Sequence, residues 1–406
     1  MRTRPNQTTV NSILSGCGRA SLLLWLAAAG CVGVDDQDSQ FPAWILPLPS
    51  GTTLLEHTIP DPDSRPSARI EIQEDLVIAG FGEDSSAPFY EASRVDVDDS
   101  GNIYVLDTGN SQVHVFGANG EYQRSLGAEG QGPGELQRPI GVAVSGNRVF
   151  VTDAVQARVA TWQGGELAAS VSLSPLRPGA AIFGAANGGF VADVYERMDD
   201  GQEVRRSVLY SPTVSSVRIY ATLPVPTDFF VRSLTAPARV RFPSIQSPPA
   251  HVVAEGDHVF ISNLADYQIF AFDLAGSVRW ALRVPWLREP FSDEHRNAVL
   301  AEWARGLPDP DASGVTWPSR LPALSGLLVD GHSHLYAFPY MFSAGDDSPR
   351  QSRPVDVYSA AGAHVFSGYM RTIDWTAAQG DFIYAIRVNP NSGGTEAVRY
   401  RLTEPF

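Results

Sequence analysis

The chain has 406 residues, 43% of them hydrophobic and 10% aromatic, which is enough apolar material for a large folded core. Its formal net charge of −15 at pH 7 argues against non-specific nucleic-acid binding. All 30 basic residues are Arg, which excludes a phosphate-loop lysine, a Schiff-base lysine and a Ser–Lys pair. Both cysteines lie within the first 31 residues, so the rest of the chain has no disulfide, no cysteine nucleophile and no Cys–His zinc site.

Residues 1–31 have the features of an export signal. Arg2, Arg4 and Arg19 give a basic leader, and an apolar run over 21–29 that is too short to span a bilayer ends just before Cys31. The segment resembles a bacterial lipoprotein signal peptide, a resemblance that implies removal of residues 1–30 and lipidation of Cys31. Ala28 departs from the lipoprotein pattern, which prefers Leu three residues before the cysteine, and an ordinary cleaved signal is the alternative.

Residues 31–66 are rich in Pro and Asp and predict a flexible tether ahead of a folded domain at 67–406. Alternation of apolar and polar residues begins at 69–72 and 76–79. We expect one of these strands to pair with the last repeat of the chain, because closing a ring of sheets with a strand from the other end removes exposed edges.

The clearest pattern lies between residues 95 and 144. Short, alternating, β-branched runs such as 103–107 and 112–116 are separated by Asp, Asn, Ser and Gly, which predicts strands joined by tight turns. Gly101 and Gly120 can adopt the positive φ that short hairpins require. The unit is therefore an antiparallel meander of about four strands that must stack on copies of itself to bury both faces.

These residues resemble the NHL-repeat type of six-bladed β-propeller. The resemblance rests on 101–105 with Asp107, on 107–110 ahead of Val113, and on the loop 127–135 leading into 139–144. It is specific over about residues 90–175. What it implies is the fold and not the function, since propellers of this shape include enzymes, receptors and scaffolds.

Further copies of the pattern follow at 147–167, 188–220, 256–280, 327–358 and 382–402, and the copy at 188–220 is the weakest. With the first copy, they predict an all-β fold: a six-bladed β-propeller of four-stranded antiparallel blades. Three insertions interrupt the pattern, at 229–249, 286–320 and 343–353. One short helix is predicted over 292–305, with Ser292 as its N-cap and acidic residues in its first turn.

Arg94 and His251 occupy matching positions just ahead of innermost strands, so both are candidates to face a shared cavity mouth. Arg232, Arg239 and Arg241 lie in a long loop that can reach the same place. Guanidinium groups suit carboxylate and phosphate ligands, which makes these five residues candidates to bind a small anionic ligand. The alternative is that the arginines pair with surface acids and that His251 caps a strand.

The residues His332 and His334 suggest a metal-ligand pair, because alternate strand residues share a face. Alignment with the first repeat instead places both in a hairpin turn, at the positions of Ser100 and Asn102. The acidic run 96–102 is likewise assigned to turn chemistry, because the glutamate that ends a calcium loop of the EF-hand type is missing. No Gly-x-Ser-x-Gly nucleophile motif and no catalytic residue is identified.

The sequence thus predicts a lipid-anchored protein of the bacterial cell envelope, facing the periplasm or the exterior, that acts as a non-catalytic binding or scaffold module. Its expected partner is a protein or a small anionic ligand at the decorated face of the propeller, with no cofactor. The alternative is a metal-assisted lyase or hydrolase at the channel mouth, which would use a divalent metal. A sensor ectodomain is disfavoured, because no transmembrane stretch or signalling module is found.

Overall fold

The computed structural model describes residue 46 and residues 48–59, 64–80, 89–185, 187–224, 229–235, 239–242, 251–262, 264–315, 317–341 and 352–403. Cys31, the predicted signal 1–30, much of the predicted tether and most of the insertion at 343–353 lie outside the described residues. The backbone of Arg232, Arg239, Arg241 and His251 is described, whereas their side chains are not.

Two strands precede the repeats, β1 (Thr53–Glu56) and β2 (Arg69–Ala79). Blade 1 consists of β3 (Ala92–Val97), β4 (Ile103–Asp107), β5 (Gln112–Phe116) and β6 (Tyr122–Leu126). A short parallel pair follows, β7 (Ala128–Glu129) and β8 (Glu135–Leu136). Blade 2 consists of β9 (Pro139–Ser145), β10 (Arg148–Asp153), β11 (Arg158–Gln163) and β12 (Glu166–Ser172). Blade 3 consists of β13 (Arg177–Gly184), β14 (Phe190–Arg197), β15 (Glu203–Tyr210) and β16 (Ser216–Pro224), so the weakest repeat is complete.

The second half of the ring carries the insertions. The strands β17 (Phe229–Ser233) and β18 (Arg239–Phe242) precede blade 4, which consists of β19 (His251–Glu255), β20 (His258–Ser262), β21 (Gln268–Asp273) and β22 (Val278–Arg283). The helix α1 (Asp293–Gly306) and β23 (Pro310–Asp311) precede blade 5, which consists of β24 (Leu324–Val329), β25 (Leu335–Pro339), β26 (Ser352–Tyr358) and β27 (His364–Arg371). Blade 6 contains β28 (Asp374–Gln379), β29 (Phe382–Val388) and β30 (Thr395–Thr403).

The ring closes with a strand from the start of the chain, as predicted. Residues 71–79 of β2 pair antiparallel with β30 and supply the fourth strand of blade 6. The innermost strand of each blade contacts that of the next blade, and β28 of blade 6 contacts β3 of blade 1. The predicted six-bladed β-propeller of four-stranded antiparallel blades is therefore confirmed.

Buried apolar side chains occupy the spaces between neighbouring blades. Each of the six interfaces has its own cluster, and strands of two adjacent blades contribute to each one. The aromatic residues at the blade edges belong to these clusters: Tyr104, Phe116, Phe150, Trp162, Phe260, Phe272 and Tyr358. Burial of this surface is the main force holding the blades together.

The described part of the predicted tether 31–66 packs on the propeller, which corrects the expectation of a flexible segment. β1 adds to the outer edge of blade 4, where Thr53 to Glu56 pair in parallel with Trp280 to Arg283 of β22. Arg65 is buried against Asp356 of blade 5. Pro and Asp content did not reveal these contacts, because both depend on partners far along the chain.

The helix α1 confirms the predicted start and end within one residue. Ser292 caps it, and His295 takes the Glu or Gln place of a capping box by accepting the Ser292 N–H at Nδ1, 2.8 Å away. Trp303 and Leu307 form a small core with Val299 and Leu300 and with residues of the 312–317 segment. Among the described residues, no helix has the length and apolarity needed to cross a membrane.

Candidate functional site

An Asp organises the first turn of blades 1 and 5, and these two turns are closely alike. In blade 1, Asp98 accepts the N–H groups of Ser100 and Asn102 at 2.9 Å, the Asn102 side-chain amide at 2.8 Å, and the Tyr104 hydroxyl at 3.0 Å. These bonds show that Asp98 and Asn102 of the acidic run 96–102 serve the turn.

Blade 5 repeats the same bonds with different residues. Asp330 accepts the N–H groups of His332 and His334 at 2.8 Å, the His334 Nδ1–H at 3.1 Å, and the Tyr336 hydroxyl at 2.9 Å. His332 then contacts Asp381 of blade 6 at 2.8 Å. The prediction that both histidines belong to a hairpin turn is confirmed.

A second repeated Asp ends the second strand of blades 1 and 2. Asp107 accepts the N–H groups of Tyr90, Glu91, Gly109 and Asn110, and Asp153 accepts those at the four equivalent positions in blade 2. Burial raises the pKa of Asp107, but the hydrogen bonds from His114 and the backbone outweigh burial and hold that pKa well below its ordinary value. These residues carry the family resemblance, and their role is structural.

A cavity of about 450 Å³ lies in the central channel. The innermost strands of all six blades line it, and its walls present both polar and apolar surface. Its polar side chains are Arg94, Asp96, Asp98, Asp99, Ser145, Thr376 and Gln379, and its larger apolar residues are Val95, Val97, Val142, Val144, Ile182, Phe183, Leu327, Leu328, Val329 and Trp375. It runs from Arg94 to the turns that follow the innermost strands, including Asp98, Gly256 and Gln379. The volume is in the range of small-molecule sites.

Most polar side chains in the channel bridge neighbouring blades. Asp96 of blade 1 accepts the Val144 N–H of blade 2 at 2.6 Å and the Val97 N–H at 2.9 Å. Thr376 of blade 6 accepts the Val95 N–H at 2.9 Å and donates to the Val95 carbonyl at 3.0 Å. The innermost strands of neighbouring blades belong to separate sheets, so these side-chain hydrogen bonds join them where a backbone ladder is absent.

Burial raises the pKa of Asp96 to about 7, although the N–H groups of Val144 and Val97 act in the opposite direction. Asp98 adds a smaller upward effect through like-charge repulsion. The carboxyl group of Asp96 is therefore partly protonated at neutral pH, and the channel is less negative than its composition indicates.

Arg94 lines the same cavity. Its one hydrogen bond within the described residues runs from Nε to the Ile140 carbonyl, 3.3 Å away, and burial lowers its pKa. No described carboxylate pairs with it, so its terminal N–H groups remain available to a ligand.

The backbone positions of the predicted site residues can be compared directly. Arg94 pairs with Leu106 in blade 1, and His251 pairs with Ser262 in blade 4, so the two occupy equivalent places, as aligned. In the insertion, Arg232 pairs with Arg239, and Arg241 with Phe230. Contacts of the His251, Arg232, Arg239 and Arg241 side chains lie outside the described residues.

The sequence predicts a candidate site at the decorated face of the propeller, whereas the described cavity extends to the opposite face. The insertions enter ahead of β19 and β24, at the starting ends of innermost strands. The turns that line the cavity, such as 98–99 and 379, follow the other ends of those strands. Arg94 is thus the one predicted residue whose described side chain lines the cavity.

A second polar cluster, between blades 4 and 5, was missed. Asp356 lies on β26 and is fully buried beside Tyr267, Tyr358 and Ser367. Burial and then the Asp356 charge raise the pKa of Tyr267 well above its ordinary value. The only sequence signal was an Asp inside an apolar alternating run, at the position that His114 occupies in blade 1.

No group of three or more His, Cys, Asp or Glu side chains is placed to hold a metal ion within the part of the chain that the structure describes.

Comparison with known proteins supports the fold. Residues 84–166 match the DUF5128 family, described as a 6-bladed beta-propeller. That the chain is a six-bladed propeller is therefore supported by both sequence and structure.

Solved structures to which the chain is similar include a member of the DUF4221 family from Bacteroides vulgatus, which is 12% identical at a TM-score of 0.49, with 84% of this chain and 100% of that chain covered. Virginiamycin B lyase from Staphylococcus aureus is 10% identical at a TM-score of 0.39, with 82% and 100% covered. The calcium-binding protein regucalcin from Agrobacterium tumefaciens is 11% identical at a TM-score of 0.38, with 87% and 97% covered. At these identities the likeness concerns the fold alone. No curated protein sequence matches the chain.

Proposed function

We propose that the protein is a non-catalytic binding module that takes a small organic anion into its central channel. The observation that carries the proposal is the cavity of about 450 Å³, which is lined by both apolar residues and polar groups, Arg94 among them. Concave sites that combine apolar residues with convergent polar groups are typical of small-molecule binding. The ligand class that fits is a carboxylic acid with an apolar body, its carboxylate placed against Arg94.

Binding is favoured over catalysis because the channel hydroxyl groups are engaged. Thr376 donates to the Val95 carbonyl, and Ser145 donates to the Ala185 carbonyl at 2.6 Å. A hydroxyl that donates to a backbone carbonyl is not activated as a nucleophile by a neighbouring base. The metal-assisted lyase or hydrolase considered from the sequence has no described ligand set to support it.

The proposal includes attachment to the bacterial cell envelope through a lipid on Cys31. Its support is the basic leader, the short apolar run and the Gly30–Cys31 pair. If replacing Cys31 with Ala leaves detergent partitioning unchanged from the wild type, the lipid anchor is wrong.

The ligand proposal is tested with the Cys31→Ala chain and a panel of aromatic and branched aliphatic carboxylic acids, with their amides as matched neutral compounds. We expect at least one acid to bind in calorimetry and its amide to bind much more weakly. Arg94→Gln should weaken binding at least tenfold, since hydrogen bonds to charged groups contribute roughly 1.5–3 kcal/mol.

Arg218→Gln is the control, because Arg218 is exposed on the outer strand of blade 3, away from the channel. Equal affinity of the Arg94 variant and wild type would overturn the site. Conversion of the bound acid into a product, followed by mass spectrometry, would overturn the non-catalytic assignment.

A further inference from the structure

The segment that precedes the ring is fastened at three places to blades 4 and 5. We call its described residues, 48–59 and 64–70, the strap. β1 pairs with blade 4, Arg65 enters the space between blades 4 and 5, and Arg69 and Ile70 pair in parallel with Tyr369 and Met370 of blade 5. The strap leads directly into the part of β2 that closes blade 6.

The ring itself orients the carboxylate that receives Arg65. Tyr267 of blade 4 donates its hydroxyl to Asp356 Oδ2 at 3.0 Å, and Ser367 of blade 5 donates to Oδ1 at 2.6 Å. Tyr358 donates in turn to the Tyr267 oxygen at 3.0 Å. None of these donors belongs to the strap, so the ring supplies hydrogen bonds of its own to both oxygens of Asp356.

Arg65 binds the Asp356 carboxylate as a bidentate ligand. Its Nη1 lies 2.5 Å from Asp356 Oδ1 and 3.1 Å from the Val355 carbonyl, and its Nη2 lies 3.2 Å from Oδ2. Both charged side chains are 0% exposed. Paired N–H donors facing both oxygens of one carboxylate are the geometry by which proteins recognise a guanidinium group.

We propose that the space between blades 4 and 5 is a preformed guanidinium-binding pocket, and that the strap is held in it as an exchangeable ligand. One observation separates this from an ordinary core ion pair. The flanking strand pairs are short, with four residues at β1 and two at β27, so the strap can leave while each blade keeps its four strands, at the cost of withdrawing Ile59 and Ile70 from inter-blade clusters. The Nε of Arg65 is buried with no hydrogen-bond partner among the described residues, a feature that it shares with Arg205 of the buried pair in blade 3.

Chemical rescue tests the pocket. Arg65→Ala in the full chain removes the atoms that ethylguanidinium can replace, while ethylammonium supplies the same charge without the planar pair of donors. We expect Arg65→Ala to lower the melting temperature and millimolar ethylguanidinium to restore at least half of the loss, with no such recovery in ethylammonium. Equal recovery with both cations, or recovery with neither, would overturn the proposal.

Arg283→Ala is the matched control, because Arg283 pairs with Glu56 of the same strap at an exposed position. Its melting temperature should not respond selectively to ethylguanidinium. A response equal to that of Arg65→Ala would mean that the cation acts on the strap generally.

Should Arg65→Ala fail to fold, the wild type provides the second measurement. The Tyr369 N–H donates to the Ala68 carbonyl of the strap at 3.0 Å, so its hydrogen exchange reports strap release. Ethylguanidinium should compete with Arg65 and accelerate this exchange severalfold more than equal ethylammonium does, with exchange at core strands such as β4 unchanged. Identical exchange in the two cations would overturn the proposal.

Discussion

The centre of the ring and its rim join neighbouring blades by different chemistry. At the centre, Asp96 and Thr376 form hydrogen bonds to the backbone of the next blade. At the rim, the strap is joined by Arg65 and Asp356, a charge pair without solvent exposure. A backbone partner is present whatever the neighbouring residue is, whereas a buried charge needs one particular partner. We therefore expect substitution to cost more at the rim, and the predictions below run from the largest effect to the smallest.

Replacing Asp356 with Ala should have the largest effect, about 3–5 kcal/mol of lost unfolding free energy, because Arg65 is then buried without a counter-charge. Denaturant titration measures it. The exposed pair of Asp257 and Arg279 provides the control, since Asp257→Ala should change stability by less than about 1 kcal/mol. Similar losses for the two variants would remove the distinction between buried and exposed pairs.

Asp96 should make the centre more stable in acid. Because its pKa in the folded protein is raised to about 7, its contribution is present below the ordinary value of 3.8 and is lost as the pH rises through 7. Each tenfold change in the acid dissociation constant of Asp96 corresponds to ~1.4 kcal/mol, so the lost unfolding free energy is at most roughly 4 kcal/mol. Asp96→Asn should flatten the stability profile between pH 4 and 7, measured by denaturant midpoints. A profile as steep as that of the wild type would refute the assignment.

Thr376→Val should cost about 1–3 kcal/mol, because it leaves the Val95 N–H and carbonyl without their partner while keeping the side-chain shape. Thr376→Ser retains the hydroxyl and should recover most of the loss. A Val variant as stable as the Ser variant would show that the bridge contributes nothing. Thermal unfolding of the three proteins decides between these results.

His364 should give the rim the opposite and smallest pH response. Burial lowers its pKa, as do the charges of His57 and Arg65, whereas Asp356 raises it. Its stabilising contribution is therefore full above the ordinary value of 6.5 and is lost as the pH falls below it. His364→Gln should flatten the acid side of the profile by less than about 1 kcal/mol, because the residue is only partly buried and solvent screens its charge. An unchanged acid limb in the variant would argue against this role.

The sequence predicts well whatever recurs in the chain. The turn at Asp330 was assigned correctly because Asp98, Asn102 and Tyr104 occupy the same places in blade 1. The strand that closes the ring was expected on the general ground that open sheet edges are unfavourable. The repeat pattern is weak in blade 3 because its strand pairs differ from those of blade 1. Two of its pairs contain register shifts, one of them between Pro178 and Ile182, and the pair of β14 and β15 is longer than that of β4 and β5, which has no shift.

Features that occur once were not predictable in this way. Arg65 and Asp356 are separated by 291 positions, so no local pattern in the sequence connects them. Likewise, nothing in residues 53–56 indicates the parallel pairing with β22. The cavity combines residues from six separate strands, and its position depends on how the ring closes, so the sequence could nominate Arg94 but not its surroundings.

The origin of the closing strand also sets an order for biosynthesis. Asp75 of β2 reaches Arg399 of β30 across 324 positions. A ribosome makes β2 first and must complete five blades before its partner emerges, so the strand has an unpaired edge for most of translation. Contacts of such long sequence separation also slow folding. The charged residues on β2, among them Glu71, Glu74 and Asp75, lie along this unpaired edge. Charged side chains on a strand edge oppose aggregation.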